Sequence, residues 1–269
     1  MRISAVTLLV VLSASTLLVG SSHPALSGKG AVPSSSTSPS GSTSHSSPLS
    51  RLQNAREAIV VTTPDWNSSS GTLQRYERNH KRWKPVGDSI PVVIGTSGMG
   101  WASEFLPKDQ APDGPVKKEG DGRSPAGVFK IGAAFGYDDV KPDWLKLPYI
   151  PLTSATECVD DATSEYYNSV VDRTNVANAG WNSSEKMRQI GAYRWGVIVD
   201  QNPERQRGAG SCIFLHTWKG LGSSTAGCTA MDQGQLEKVM TWLNPADRPV
   251  MVTLPEAEYK RLRAEWRLP

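Results

Sequence analysis

Cysteine and histidine are scarce in this chain, which carries three cysteines and four histidines in 269 residues. No C-x-x-C and no H-x-x-x-H spacing occurs among them, which argues against a zinc cage. An excess of one charge is also missing. With 29 Lys+Arg against 26 Asp+Glu the formal net charge is +3, so there is no electrostatic case for nucleic acid as a partner. No repeat of about 20–50 residues is visible, and a dinucleotide-binding fold is a poor reading. No metal, nucleotide or redox cofactor is implied. What is present suffices for a core: 38% hydrophobic and 20% charged residues exclude disorder along the whole chain. The length fits one domain or two small ones.

The longest apolar run is short. It extends from Ala5 to Gly20, follows Arg2, contains Ser13, Ser15 and Thr16, and ends in Ser21 and Ser22. A bilayer span needs ~20 apolar residues. A positive start, a short apolar stretch and small residues near a cleavage point are the layout of a secretory signal. We therefore expect residues 1–22 to be a signal peptide, with an uncleaved anchor as the alternative. The protein is expected outside the cytoplasm, in a periplasm or cell wall, with no membrane contact beyond that segment. No cysteine lies nearby, so lipid attachment at a mature N-terminus is not expected. Residues 23–51 read as a flexible Ser/Pro-rich tether, because between Ser27 and Ser50 only Val32 and Leu49 are large and apolar. His23 and His45 fall there and are expected to be chemically idle. Residues 52–269 are then the folded domain.

Short β-rich segments bounded by Gly, Pro, Asn or Asp dominate its first half: Ala58–Thr62, Leu73–Glu77, Trp83–Val86 and Pro91–Gly95. Gly127–Ile131, Val197–Asp200, Ser211–His216 and Pro249–Leu254 continue the series. Two helices stand out. Asp232 can cap the first, with Leu236, Val239, Met240 and Leu243 at helical spacing and Asn244-Pro245 as its stop. The second begins at Pro255 and puts Tyr259, Leu262 and Trp266 on one side. The basic stretch Arg75–Lys84 reads as a charged sheet edge rather than a polyanion site. The fold class is mainly β with a few helices.

An odd cysteine count in an exported protein leaves one thiol after a single disulfide. Cys228 has the surroundings for chemistry, in Ser223-Ser224-Thr225-Ala226-Gly227-Cys228-Thr229. Gly227 lets backbone N–H groups converge on an oxyanion, and the helix after Asp232 could favour a thiolate. A cysteine nucleophile needs a base, and the folded part offers His80 and His216. His80 lies in a turn-like Asn79-His80-Lys81. His216 ends the apolar run Ile213-Phe214-Leu215, a glycine-rich loop ahead of Cys228, and is the better partner; a buried histidine beside Trp218 is the alternative.

The segment Ile213-Phe214-Leu215-His216 with Ser224-Thr225-Ala226-Gly227-Cys228 resembles the catalytic signature of the YkuD-type L,D-transpeptidases. Gly120–Phe129 resembles the family's T-P-x-G-x-F segment, with Ser124 in the threonine's place. Cys158-Val159-Asp160-Asp161 and Tyr167-Asn168 are similar to a subgroup of the same family. The similarity spans roughly Ile59 to Leu254. It implies a β-sandwich-like L,D-transpeptidase domain and cysteine acyl transfer on peptidoglycan stem peptides. Cys228 would be the nucleophile, His216 the base and the Thr217 carbonyl the group orienting it; Gly227 belongs to the catalytic loop, and Trp218, Ser224 and Thr225 are the substrate-binding candidates. The thioester would pass to a neighbouring stem amine, making a cross-link. Water as acceptor would make an L,D-carboxypeptidase or amidase, and a non-enzymatic wall-binding module is the reading without chemistry. The chain departs from many members at Ala226, where they have histidine, and at Thr229-Ala230-Met231, where they have arginine.

With Cys228 kept free, Cys158 and Cys212 are expected to form a disulfide, with two separate buried thiols as the alternative. The bridge would tie the segment holding Tyr167 and Asn168 to the base of the His216 strand.

Overall fold

The architecture follows from strands whose apolar residues have partners on both sides. The structure, a computed structural model, describes residues 48–80, 82–106 and 113–269. The signal-like segment and nearly all of the expected tether lie outside the described residues. Helix α1 (Pro48–Gln53) precedes β1 (Glu57–Thr63), β2 (Ser70–Asn79), β3 (Arg82–Val93) and β4 (Met99–Trp101). After them come β5 (Ser124–Gly136), β6 (Tyr149–Pro151), β7 (Thr156–Val159), β8 (Ser169–Asp172) and β9 (Glu185–Lys186). The chain continues through β10 (Trp195–Asp200), β11 (Phe214–Thr217), β12 (Thr229–Met231), α2 (Gln233–Trp242), β13 (Val250–Pro255) and α3 (Glu256–Trp266). The fold is mainly β.

Strands pair in the order β10-β11-β12-β3-β2-β1-β13-β5-β4, and β10 also pairs with β5. The sheet therefore closes round its core, which removes most free edges. β1 runs parallel to β13 and antiparallel to β2. Ile59, Val61, Val128, Phe129, Val197, Leu215, Val252 and Leu254 fill the interior. α2 adds Leu236, Val239 and Met240 to it, and Asp232 caps that helix by accepting from the N–H groups of Gly234 and Gln235. β7 forms a separate antiparallel sheet with β8 and β9.

Several boundaries differ from the sequence reading for local reasons. Trp83–Val86 and Pro91–Gly95 belong to one strand, β3, which carries a register shift opposite Leu73 and Arg75. Gly87 at φ +64 makes that bulge and resembles a turn in the sequence. The expected strand at Ser211 starts only at Phe214, because Cys212 sits in the left-handed region at φ +55. Helix α1 starts inside the expected tether; Leu52 is buried, and Arg51 donates to the Val128 carbonyl. The basic stretch is an edge only in part, since β2 has β1 on its other side.

Candidate active site

β11 and β12 are parallel neighbours, with Leu215 opposite Thr229 and His216 opposite Ala230. Side chains alternate along a strand, so Phe214 and His216 share a face, and Cys228, one position before β12, falls beside Phe214. The Phe214 N–H donates to Cys228 Sγ at 3.3 Å, and the thiol donates to the Cys212 carbonyl at 3.3 Å. His216 Nδ1 lies 2.7 Å from the Thr217 carbonyl oxygen. A carbonyl only accepts, so Nδ1 carries the proton and Nε2 is left as an acceptor. Both groups line a cavity of about 370 Å³, and Cys228 is 6% and His216 8% exposed.

Burial sets the resting charge state of the pair. It pushes the Cys228 thiol well up, and the charge of Glu185 adds to this; the Phe214 N–H, the Tyr193 hydroxyl and Lys117 oppose it. Burial also holds the His216 imidazole below its ordinary value, against the pull of the Thr217 carbonyl. Both shifts favour the neutral forms, a thiol and an uncharged imidazole.

The loop before Cys228 is fixed from two sides. Ser124 Oγ donates to the Gly227 carbonyl at 2.7 Å and accepts the Gly95 N–H at 2.9 Å. Thr225 Oγ1 donates to the Cys228 carbonyl at 2.7 Å and accepts the Gly227 N–H at 3.1 Å. The Gly227 N–H is thus engaged within its own loop. Close approach favours glycine there, since a Cβ would lie 3.0 Å from the Arg123 carbonyl oxygen. Thr217, Trp218, Ser224 and Thr225 all line the cavity with Cys228 and His216. His80 lies exposed in the β2–β3 turn and does not line it.

The YkuD family model, described as the L,D-transpeptidase catalytic domain, matches residues 65–252, which enclose every cavity residue. The chain belongs to the YkuD family. This is an L,D-transpeptidase-type enzyme family that acts on peptidoglycan stem peptides. A comparison with curated proteins gave no match. Among solved structures the chain is similar to "Structure of Bdellovibrio bacteriovorus Bd1075", at 12% identity and a TM-score of 0.38. That match covers 79% of this chain and 55% of that one.

In this YkuD domain Glu185 of the small β7–β9 sheet lines the cavity together with His216 and Cys228. Cys158 on β7 is disulfide-bonded to Cys212, with Cα atoms 6.0 Å apart, and Cys228 is the free cysteine. Asn168 Oδ1 accepts the Cys212 N–H at 3.0 Å. The bridge and Asn168 together hold Cys212 left-handed, and its carbonyl is the one that accepts the hydrogen bond from the Cys228 thiol. Phe135, Tyr193 and Phe214 pack edge-on beneath the site at 5.1–5.6 Å. Glu119, Asp160, Glu185 and Tyr193 also line the cavity; of these only Asp160 stands in a segment that the sequence singles out. Glu185 stands in Asn182-Ser183-Ser184-Glu185-Lys186, with no periodicity or motif around it. Among the described residues no group of three or more His, Cys, Asp or Glu side chains could hold a metal ion. None of the described helices is long and apolar enough to cross a membrane.

Proposed function

We propose that this chain is an exported cysteine L,D-transpeptidase that cross-links peptidoglycan through a thioester on tetrapeptide stems. The observation that carries the reading is one free thiol and one imidazole, its Nδ1 held by the Thr217 carbonyl, lining a single cavity. In the first half-reaction His216 Nε2 takes the Cys228 proton and the sulfur attacks the carbonyl after the third stem residue. The C–N bond to the terminal D-alanine breaks, and His216 returns the proton to the departing amine. A stem amine then attacks the thioester, and Cys228 is regenerated. Thr217 keeps the imidazole in the required tautomer, and Trp218, Ser224 and Thr225 form the stem-binding side of the cavity. Residues 1–22 act as the export signal, 23–47 as a tether and 48–269, from helix α1 on, as the catalytic domain. Export is supported by the Arg2 to Ser22 layout, and an oxidising compartment also suits the Cys158–Cys212 bridge.

Incubation with purified tetrapeptide stems, followed by mass analysis, tests this. Wild type should give a thioester adduct on Cys228 and dimeric stems. Cys228→Ala should give neither while keeping its circular dichroism spectrum, and His216→Ala should slow adduct formation by roughly 10²–10⁴-fold. Trimmed monomers without dimers would instead mean a carboxypeptidase. Turnover by Cys228→Ala would end the assignment.

A further inference from the structure

A carboxyl group not used in the steps above shares the cavity with the thiol. Glu185 lies on β9 opposite Cys158 of β7, so the sheet that is bridged to Cys212 also delivers this side chain to the wall. The Tyr193 hydroxyl donates to Glu185 Oε2 at 2.7 Å. The Tyr193 ring packs edge-on against the His216 imidazole, with centroids 5.3 Å apart. Burial raises the Glu185 carboxyl to about 7; the Tyr193 hydrogen bond opposes the rise, and the charges of Asp160 and Glu119 add to it.

Cross-linking poses a proton problem that hydrolysis does not. An alkylamine acceptor of the lysine type, with a pKa of ~10.4, arrives as an ammonium. It must lose one proton before its lone pair can attack and a second as the amide forms. His216 has one vacant nitrogen, because Nδ1 is held by the Thr217 carbonyl, and that nitrogen is needed to carry a proton to the leaving sulfur. We propose that Glu185 is a further catalytic residue, the base that takes the first proton from the acceptor ammonium. The inference rests on the Cys228–His216 acyltransferase reading.

The ammonium gives one proton to the Glu185 carboxylate, which becomes a carboxylic acid and later releases that proton to water. The neutral amine attacks the thioester carbonyl, so a C–N bond forms and the C–S bond breaks. The second nitrogen proton passes through His216 Nε2 to the Cys228 sulfur. Water arrives uncharged and loses a single proton, so hydrolysis of the thioester needs His216 alone.

The test is product partition in Glu185→Gln, a variant that keeps the side-chain shape and an oxygen for the Tyr193 hydroxyl. Dimers and trimmed monomers are counted per acyl-enzyme formed, with a stem ammonium as acceptor and then with hydroxylamine, which is unprotonated at neutral pH. The expected result is a fall of about 10²-fold in dimers relative to trimmed monomers. With hydroxylamine, wild type and variant should partition alike, because that nucleophile has no proton to lose before it attacks. A partition ratio unchanged by the substitution overturns the inference, and so does an equal deficit with both nucleophiles. A wild type that acylates but yields trimmed monomers alone overturns it while leaving the Cys228 chemistry standing. A wild type that forms no acyl-enzyme overturns both.

Discussion

The closed sheet and the small β7–β9 sheet with its flanking turns are held by different chemistry. In the closed sheet, β13 is buried along its whole length and β1 along nearly all of it, and the interior is aliphatic and aromatic. The small sheet instead encloses carboxylates. Glu157 accepts from Trp181 Nε1 at 2.8 Å, Ser184 Oγ at 2.6 Å and Arg173 Nη1 at 3.2 Å. Asp161 accepts from the N–H of Asn182 at 2.7 Å and from Thr163 Oγ1 at 2.7 Å. The one covalent tie between the small sheet and the base of β11 is the Cys158–Cys212 bridge. A region of short strands buries too little apolar surface to order itself by that means. Directional bonds and a cross-link replace what packing supplies elsewhere, and they leave polar groups available at a cavity wall.

Removing core volume should have the largest effect on stability. Phe129 is fully buried in the closed sheet, so Phe129→Ala should cost about 3–5 kcal/mol. Hydrogen exchange should show faster opening throughout the chain, the small sheet included. A loss confined to the neighbours of Phe129 would contradict the view of the closed sheet as one cooperative body.

Removing the bridge comes next. Cys158 and Cys212 are separated by 54 positions, for which the chain-entropy estimate is about 4 kcal/mol as an upper figure. The double variant Cys158→Ser, Cys212→Ser should therefore lose 2–4 kcal/mol or so by denaturant titration. Amide exchange should rise mainly between residues 149 and 194. Equal rises in β1 and β13 would dissolve the contrast between the two regions.

The smallest effect is on pH dependence. Glu57 in the closed sheet and Glu185 in the small one are both raised from 4.5 to about 7, chiefly by burial. A carboxyl with a raised folded value binds protons more tightly when folded. Its contribution is complete below the unfolded value and is lost as pH rises through about 7. Asp161 is the opposite case: the Asn182 N–H and the Thr163 hydroxyl hold it down at about 2, so its contribution is present above 3.8 and fades toward pH 2. The melting temperature should peak near pH 4–5, between these windows. Glu57→Gln should flatten the neutral limb and Asp161→Asn the acid limb. A melting temperature that climbs steadily from pH 5 to pH 8 would show that these carboxyls do not govern the limbs.

Much of the closed sheet could be read from alternation and turn residues, and α2 from the Asp232 cap with Leu236, Val239 and Met240 at helical spacing. The boundaries that moved did so where backbone conformation mattered more than side-chain pattern. Gly87 turned an apparent break into a bulge, and Cys212 delayed β11 by adopting a left-handed φ that only its bridge and Asn168 explain. The small sheet left almost no trace, because its strands are two to four residues long. Periodicity needs more residues than that to declare itself.

By itself the sequence determined the mainly β class, His216 and Cys228 as the candidate pair on either side of a glycine-rich loop, and Cys158 and Cys212 as the candidates for a bridge. Those features are local, or depend on residue types too few to be ambiguous. Tertiary structure alone decided that Ser124 and Thr225 pin the cysteine loop, that the Gly227 N–H is engaged within it, and that Glu185 and Tyr193 join the thiol at one cavity. Each of those groups is polar, and its position depends on a strand register, a loop or the bridge. Hydrogen bonds act over about 3 Å, so their partners are chosen only after the long-range pairings have brought the chain together.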